Sequence, residues 1–232
     1  MTGESTHRGP AAVFGARGGI GAALVAALEG RGHAPVHAFA RPEVDLTDEE
    51  SIRRAAARIA AGPGPDLVIV ATGLLHGPGV APEKSLRAVD PAAMARVFAV
   101  NAIGPALVLK HVAPLLPRDR RSVVAAISAR VGSVGDNRLG GWVSYRASKA
   151  ALNMIVRTAA IELARTHREA ICVALHPGTV ATGLSAPFSA NVPEGGLFSP
   201  GEAARRLLAV IDGLTPAHSG GFFAHDGAPI PW

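Results

Sequence analysis

Positions 14–21 read FGARGGIG and place Gly15, Gly19 and Gly21 in the spacing G-x-x-x-G-x-G. Glycine gives a tight turn its backbone freedom and lets the chain approach a pyrophosphate without a Cβ in the way. The apolar run 11–14 predicts a strand before this segment, and residues 20–28 predict a helix after it, whose N-terminus attracts phosphate. A glycine motif alone is a weak signal, but its place between strand and helix predicts a dinucleotide site. The residues assigned to that site are Gly15, Arg17, Gly18, Gly19, Ile20 and Gly21.

Short apolar runs alternate with longer amphipathic segments along the rest of the chain. Further strands are predicted at residues 35–40, 66–71, 122–127, 170–176 and 221–224, and helices at 48–61, 91–116, 145–166 and 200–212. The helix at 48–61 starts at Thr47 or Asp48, and Pro105 bends the helical region 91–116 or marks a change in it. The pattern predicts a single-domain α/β fold of the Rossmann type over residues 11–232, after a polar tail at 1–10. Such a doubly wound parallel sheet, in three αβα layers, binds its ligands at the carboxyl ends of the strands.

Composition excludes several other classes of protein. The 232 residues are 48% hydrophobic and 18% charged, which is typical of a globular domain. No apolar run is long enough to span a membrane, and the N-terminus does not have the pattern of a secretory signal. Cys172 is the single cysteine, which excludes an internal disulfide, and no histidine spacing indicates a metal site. We expect a cytoplasmic protein without a metal.

The net charge of +5 comes from arginines scattered over predicted helix faces without interleaved aromatic residues. We therefore expect no nucleic-acid partner, and the surplus suits a small anionic ligand. Arg17 lies inside the glycine segment, and Arg41 follows the second predicted strand. An acidic residue at the end of that strand would bind the ribose hydroxyl of NAD, whereas arginine suits the 2′-phosphate of NADP. NADP(H) is thus favoured over NAD(H), the alternative being that both arginines are ordinary surface charges.

Tyr145 and Lys149 form the pattern Y-x-x-x-K at the start of a predicted long helix, and Tyr145 is the chain's single tyrosine. A spacing of four places both side chains on one helix face, one turn apart. A nearby ammonium is expected to lower the pKa of the phenol, so that Tyr145 donates a proton to a carbonyl or takes one from an alcohol. Lys149 is also expected to hold the nicotinamide ribose.

Together these segments resemble the short-chain dehydrogenase/reductase family over nearly the whole of residues 11–232. The matching motifs, in order, are FGARGGIG, VDLTD at 44–48, ATG at 71–73, VNAIGP around Asn101, YRASK, and HPGTVAT at 176–182. The stretch GSVGDNRLGGWVSYRASKAALN and the ending DGAPIPW are similar to the C-factor-like (C-signal) branch of that family.

The resemblance implies roles for further residues. Asp45 and Leu46 would flank the adenine, and Ala71, Thr72 and Gly73 would line the central part of the cofactor. Asn101 would position a water in a proton relay with Lys149. The nicotinamide half would be bound by Pro177, Gly178, Val180 and Thr182.

The chain also departs from the family pattern. Phe14 replaces the usual threonine before the first glycine, and Thr72 stands within ATG where an asparagine–alanine–glycine motif is common. The second serine of the pattern I-S-S-x-x-G, which holds the substrate carbonyl, falls on Ala129. Ser128 is the preferred replacement, and Ser133 is a second candidate. Loss of one such donor costs roughly a hundred- to a thousandfold in rate.

Two hypotheses about function follow. The first is a carbonyl reductase or alcohol dehydrogenase with Tyr145, Lys149, Asn101 and Ser128 as its catalytic set; the second is a dinucleotide-binding signalling protein with little turnover, which Ala129 favours. The segment 184–199 is predicted to cover the substrate, a small carbonyl compound or alcohol, and its apolar residues, which include Val192, suggest that the substrate has a hydrophobic part. The resemblance also implies a homodimer or homotetramer that associates through helices 91–116 and 145–166, although a buried core face would look the same.

Overall fold

A six-stranded parallel sheet forms the centre of the protein, and the computed structural model describes residues 8–188, 190, 193 and 195–232. The strands of this sheet are β1 (Ala11–Phe14), β2 (Val36–Phe39), β3 (Leu67–Val70), β4 (Ser122–Ile127), β5 (Ala170–His176) and β8 (Phe222–Ala224). They lie in the order β2-β1-β3-β4-β5-β8 and are all parallel. Two further strands, β6 (Thr179–Val180) and β7 (Leu197–Phe198), make a separate parallel pair that the sequence did not predict.

Helices cover both faces of the sheet. Their bounds are α1 (Gly19–Gly30), α2 (Glu49–Ala60), α3 (Pro91–Phe98), α4 (Gly104–Val112), α5 (Val143–Leu163) and α6 (Pro200–Gly213). Leu24 of α1 and Leu207 of α6 belong to the core on one face. Ile52 of α2, Val108 of α4 and Leu152 of α5 belong to the core on the other. The predicted doubly wound, three-layer α/β fold is confirmed.

The strands that carry the site are buried between these two helical layers. β1, β3 and β4 are buried at every residue, and β5 at every residue except His176, its last. A parallel strand covered on both faces needs apolar side chains at successive positions. This is why these strands could be located in the sequence as unbroken apolar runs.

Side-chain caps set the starts of several helices. Of the two predicted starts of α2, the structure uses Asp48, whose carboxylate accepts the N–H of Glu50 at 3.0 Å. Asp90 caps α3 in the same way, accepting the N–H of Ala93 at 2.7 Å. These caps satisfy N–H groups that have no partner within the helix.

The predicted helical region 91–116 is interrupted by a π-helical segment, Ala99–Ile103, between α3 and α4. Pro105 lies in the first turn of α4. Because proline has no N–H, the α-helical hydrogen bond from position 105 to the carbonyl of Asn101 cannot form. The change from α-helix to π-helix therefore falls close to Pro105, where a change was expected. The π-helical segment contains Asn101, a predicted site residue. Single π-helical turns of this kind often occur at functional sites.

This helical run has the length and composition of a membrane span. Pro91–Leu115 has 25 residues, and its most apolar window has a mean hydropathy of 1.7, with 39% of the window buried. The buried side includes Val108 and Val112, which belong to the core cluster beneath α2 and α5. In this fold the run is a helix packed on the sheet.

Two predictions fall partly outside the described residues. Residues 1–7 of the predicted polar tail are outside the described residues. Arg8 belongs to the same predicted tail, and its N–H donates to the carbonyl of Gly32 at 3.1 Å. Val192, one of the apolar residues of the predicted substrate-covering segment, is also outside the described part of the chain.

Candidate active site

A cleft of about 660 Å³ opens at the carboxyl ends of β1, β3, β4 and β5. This is the sheet edge at which a doubly wound fold places its ligands. The structure brings most of the predicted site residues together here. Those that line the cleft are Arg17, Gly18, Gly19, Ile20, Ala71, Thr72, Gly73, Ser128, Tyr145, Lys149, Pro177, Gly178, Val180 and Thr182.

The glycine segment forms the wall between β1 and α1. Gly15 has a φ of +89°, which favours glycine, and its N–H donates to the carbonyl of Phe39 at 2.8 Å. A Cβ on Gly21 would lie 2.1 Å from the Gly15 carbonyl oxygen, and one on Gly19 would lie 2.7 Å from Cγ2 of Thr182. The three motif glycines are thus required by a turn, which the spacing predicted, and by two close approaches to other parts of the protein. Gly15 and Gly21 shape the loop from behind, whereas Gly19 faces the cleft.

The residues around this loop fit a dinucleotide. Helix α1 begins after Gly18, which has no side chain to cap it, so the N–H groups of the first turn remain available at the cleft wall. The hydroxyl of Thr72, which lies next to Gly15, is buried and has no hydrogen-bond partner among the described residues. A pyrophosphate at the helix N-terminus would use the former groups, and Thr72 offers a polar atom further along. The chain therefore has a cradle for the cofactor that its sequence predicts.

Arg17 lines the cleft and contacts the chain at Arg41. Nη1 of Arg17 donates to the backbone carbonyl of Arg41 at 3.0 Å. Asp45 is nearby, and hydrogen bonds from the backbone and side chain of Thr47, with a smaller contribution from the charge of Arg41, lower the pKa of its carboxyl. Leu46 is buried and packs beside Gly104. Arg41, Asp45 and Leu46 are not among the described residues that line the cleft, and the roles predicted for Asp45 and Leu46 beside adenine stay predictions.

Tyr145 and Lys149 lie one turn apart on α5 and both face the cleft. Their side chains are almost fully buried, at 8% and 2% exposure. Nζ of Lys149 lies 5.9 Å from the centroid of the tyrosine ring and donates to the carbonyl of Ile127 at 2.8 Å. The helix face and the strand end together hold the ammonium beneath the ring, as the spacing predicted.

Burial dominates the titration of this pair. It raises the pKa of Tyr145 to about 12 and lowers the pKa of Lys149 to about 8, since each charged form loses solvation. The expectation that Lys149 would lower the pKa of the phenol is therefore wrong for the structure as it stands. Desolvation outweighs the ammonium, whose hydrogen bond goes to the backbone of Ile127 rather than to the hydroxyl. At neutral pH the Tyr145 phenol is therefore protonated.

The side-chain amide of Asn101 lies behind the cleft and has hydrogen-bond partners at both its oxygen and its nitrogen. Its Oδ1 accepts the N–H of Leu74 at 2.7 Å, and its Nδ2 donates to the carbonyl of Leu74 at 2.8 Å and to Oγ of Ser148 at 3.0 Å. The side chain thus ties the loop after β3 to helix α5. This places Asn101 as a positioning residue between Gly73 and Lys149, and the predicted water relay stays a prediction.

Sequence and structure comparisons agree with this geometry. The model of the short chain dehydrogenases matches residues 37–193. The chain belongs to the short-chain dehydrogenase family.

Three relatives show how far the similarity extends. The chain is 42% identical over 144 residues to the C-signal of Myxococcus xanthus, a match that covers 62% of this chain and 81% of that protein. It is 35% identical over 191 residues to 1-hydroxy-2-glutathionyl-2-methyl-3-butene dehydrogenase of Rhodococcus sp., covering 82% and 79%. The crystal structure of NADPH-bound carbonyl reductase from chicken fatty liver superposes with a TM-score of 0.83 at 25% identity, covering 97% and 94%.

In this short-chain dehydrogenase the serine position is changed. Ala129 lines the cleft where the family pattern has serine. Ser128 also lines it, but its hydroxyl donates to Oδ1 of Asn153 at 2.7 Å. Ser133 lies away from the cleft lining, and its hydroxyl accepts the N–H of Asp136 at 3.0 Å. As placed, the Ser128 proton is directed at Asn153, so the predicted role requires this hydroxyl to change its partner.

The part of the cleft wall that was predicted to bind the nicotinamide half is shaped by the turn after β5. Gly178 has a φ of +78°, and a Cβ there would lie 2.6 Å from the ring of Phe198. Val180 in β6 pairs with Phe198 in β7, and the N–H of Thr182 donates to the Ser185 hydroxyl at 3.2 Å. The β6–β7 pair thus holds Val180 and Thr182 at the cleft wall.

The segment predicted to cover the substrate contributes Leu184, Ser185 and Phe188 to the cleft lining. Leu197 and Phe198 instead form β7, outside the lining. Covering of the substrate by residues 184–199 as a whole stays a prediction.

Sequence reasoning missed several residues of the cleft. Trp142 lines the cleft, and Glu83 binds the start of α5 beside it, but neither residue was predicted to belong to the site. His176 also lines the cleft without having been predicted there; burial, with the nearby charge of Arg130, lowers its pKa to about 4. The spacing of these residues along the chain carries no signal of their meeting.

Within the described residues, no group of three His, Cys, Asp or Glu side chains could hold a metal ion.

Proposed function

We propose that this chain is an NADP(H)-dependent carbonyl reductase or alcohol dehydrogenase of the short-chain family. One observation carries the proposal: Tyr145 and Lys149 are buried in the same cleft that the glycine loop and the open N-terminus of α1 line. A proton donor and a cofactor cradle at one sheet edge are what a carbonyl reduction requires.

The chain's own residues supply proton transfer and orientation. When bound, the nicotinamide gives a hydride to the carbonyl carbon or accepts one from an alcohol. The Tyr145 hydroxyl donates its proton to the carbonyl oxygen in reduction and takes a proton from the alcohol in oxidation. The Lys149 ammonium stabilises the phenolate left after donation, and Asn101 holds the loop at Gly73 in register with α5.

The preference for NADP(H) is supported by the pairing of Arg17 with the chain at Arg41. The Arg17 guanidinium lines the cleft and donates to the backbone carbonyl of Arg41, which follows β2, and a guanidinium there suits a 2′-phosphate, which carries a negative charge and accepts several hydrogen bonds. The chicken carbonyl reductase to which the chain is similar holds NADPH in its crystal structure.

Titration with NADPH and NADH in parallel, followed by the fluorescence of the reduced nicotinamide, tests this proposal. Removal of a charge-assisted hydrogen bond in Arg17→Ala should weaken NADPH binding by about tenfold or more and leave NADH binding nearly unchanged. Tyr145→Phe should bind NADPH normally and lose turnover of carbonyl substrates. Equal losses for both cofactors in Arg17→Ala would contradict the NADP preference, and a fully active Tyr145→Phe variant would contradict the mechanism.

A signalling role with little turnover is the second candidate, and the serine position supports it. Ala129 has no hydroxyl, and the Ser128 proton is directed at Asn153. The chain is also similar to a protein named C-signal. Under this hypothesis the biological output survives Tyr145→Phe, whereas under the first it does not.

We also propose that the protein forms a homodimer or homotetramer through α4 and α5. Met154 and Ile161 on α5 are 66% and 51% exposed, and Ile103 beside α4 is 54% exposed. Apolar side chains on neighbouring helices form a surface suited to a second copy. Light scattering should show an oligomer that Ile161→Glu dissociates, while a monomeric parent protein would overturn this assignment.

A further inference from the structure

Trp142 has an unusual backbone conformation at the edge of the cleft. It precedes α5 with φ 51° and ψ 43°, in the left-handed region, and is the one non-glycine residue with positive φ in the described part of the chain. Gly140 and Gly141 before it also have positive φ, but glycine adopts this region freely. For a bulky residue the conformation is unfavourable and persists only where surrounding contacts maintain it.

Glu83, from the connection between β3 and α3, supplies these contacts. Its backbone carbonyl accepts the N–H of Trp142 at 2.6 Å. Its carboxylate accepts the N–H of Ser144 at 3.2 Å and the Ser144 hydroxyl. Glu83 is only 5% exposed, so its carboxylate lies buried at the N-terminus of α5, where the helix dipole favours negative charge. One residue thus holds the chain on both sides of Val143.

The indole held in this way forms part of the cleft wall beside the proton donor. The Trp142 ring is edge-on to Tyr145, with centroids 6.3 Å apart, and edge-on to Phe188, with centroids 4.9 Å apart. Phe188 in turn contacts His76 at 5.7 Å. The Trp142 and Phe188 rings both line the cleft. They come from different segments, the start of α5 and the loop after β6, and because they contact each other they form one continuous aromatic wall beside the Tyr145 ring.

We propose that Glu83 is a positioning residue that holds Trp142 in its left-handed conformation, and that the resulting aromatic wall selects carbonyl substrates bearing a flat aromatic group. The inference rests on the proposed function. A flat ring that lies against this wall gains offset or edge-to-face contacts with it, whereas a puckered ring of similar size does not. A helix cap alone would not need Trp142, because Ser, Asp or Asn at its position would cap α5 without strain.

The first experiment measures the position of Trp142 directly. The chain has two tryptophans, so Trp232→Phe leaves Trp142 as the single emitter. In this background Glu83→Ala should shift the Trp142 emission to the red and increase its quenching by acrylamide, because the indole leaves the wall. Glu83→Gln, which keeps an acceptor for the Ser144 N–H, should restore most of the parent spectrum. Lys84→Ala, at the exposed neighbouring position, is the matched control.

The second experiment measures selection with NADPH and three probes: acetophenone, cyclohexyl methyl ketone and butanone. Trp142→Ala should lower kcat/KM for acetophenone by about tenfold or more, the size of discrimination that one apolar contact provides. The loss should fall mainly on KM, and kcat/KM for butanone should fall by a clearly smaller factor than kcat/KM for acetophenone. Glu83→Ala should reproduce this pattern, and Glu83→Gln should lie close to the parent protein.

Several outcomes would overturn the inference. An unchanged Trp142 spectrum in Glu83→Ala, or equal losses for all three ketones in Trp142→Ala, would do so. If Glu83→Ala does not fold, Trp142→Ala alone decides the selection. If NADPH binds but no ketone is reduced, the proposed function fails separately. Quenching of Trp142 by acetophenone but not by cyclohexyl methyl ketone would then still support the aromatic wall, and equal quenching would refute it.

Discussion

The Lys149 ammonium lies beneath the Tyr145 ring, 5.9 Å from its centroid, and the two buried groups titrate in opposite directions. The pKa of the phenol rises to about 12 and the pKa of the amine falls to about 8. At neutral pH the site therefore holds a protonated tyrosine next to a lysine that is mostly charged. This is the protonation state that carbonyl reduction needs, and it differs from the state needed to oxidise an alcohol.

The two directions of the reaction should thus depend differently on pH. Oxidation requires the Tyr145 phenolate, whose fraction rises about tenfold per pH unit below its pKa, so kcat for oxidation should climb from pH 7 to pH 10. Reduction uses the neutral phenol and should stay level from pH 6 to about the pKa of Lys149, near 8. Steady-state rates with saturating NADPH or NADP and a matched ketone–alcohol pair measure both profiles.

Tyr145→Phe is the control for this pH dependence, since it removes the proton donor without changing the ring. A rate of oxidation that is already level above pH 7 would contradict the high pKa of Tyr145. A level profile would also support the expectation from the sequence that the ammonium of Lys149 lowers the pKa of the Tyr145 phenol.

Lys149 should also cost stability at neutral pH. Its pKa is about 8 in the folded state against 10.5 ordinarily, so below pH 8 the folded chain keeps a buried charge whose cost disappears as the pH rises. The unfolded state binds more protons between these values, so stability rises with pH there. From pH 7 to pH 9.5 the parent protein should gain about 2 kcal/mol relative to Lys149→Met.

Urea unfolding of the cofactor-free parent protein and of Lys149→Met at both pH values gives this difference directly. Comparison of the two proteins cancels contributions from other titrating groups, including the start of Tyr145 ionisation. A difference that is the same at pH 7 and pH 9.5 would show that Lys149 titrates near its ordinary pKa.

The fold and the cofactor end of the site could be predicted because their signals are local. Strands such as β4 are continuous apolar runs, and the loop from Gly15 to Gly21 contains in one short segment both the glycines and the close approaches that require them. The pair Tyr145 and Lys149 is likewise a local pattern on one helix face. In each case one turn or one strand carries the whole physical reason.

The rest of the site depends on contacts between distant parts of the chain. Ser128 meets Asn153, and Glu83 meets Ser144, and no spacing predicts either pair. The pKa of Tyr145 could not be derived from Lys149 alone, because it depends on how completely the surrounding elements exclude water. Residues 179–180 and 197–198 form a parallel pair of strands. Strands of only two residues, joined by so long a connection, have no recognisable pattern in the sequence.

Gly21 and Gly30, both in α1, make a matched pair for testing the glycine loop. A Cβ on Gly21 would lie 2.1 Å from the carbonyl oxygen of Gly15, so Gly21→Ala must displace the loop and should weaken NADPH binding strongly. A Cβ on Gly30 meets nothing within 4 Å, so Gly30→Ala should bind NADPH normally. It should gain up to about 1 kcal/mol of stability, since alanine loses less entropy in a helix.

Thermal unfolding and NADPH titration of both variants test this pair. Normal NADPH binding by Gly21→Ala would show that the loop does not cradle the cofactor. A loss of binding in Gly30→Ala would show that the effect does not depend on the close approach at Gly15.

Ser128 and Ala129 should respond in opposite ways to exchange of their side chains. Ser128→Ala removes the donor to Asn153 and leaves a buried acceptor unsatisfied, which should cost about 1–3 kcal/mol of stability. Because the Ser128 proton is directed away from the cleft, kcat should change by less than about threefold. Ala129→Ser adds a hydroxyl at a position that lines the cleft, and it should raise kcat by about tenfold or more if that hydroxyl reaches the carbonyl oxygen. Urea unfolding and ketone reduction of both variants separate these effects: a large loss of kcat in Ser128→Ala, with stability unchanged, would instead assign the carbonyl donor to Ser128.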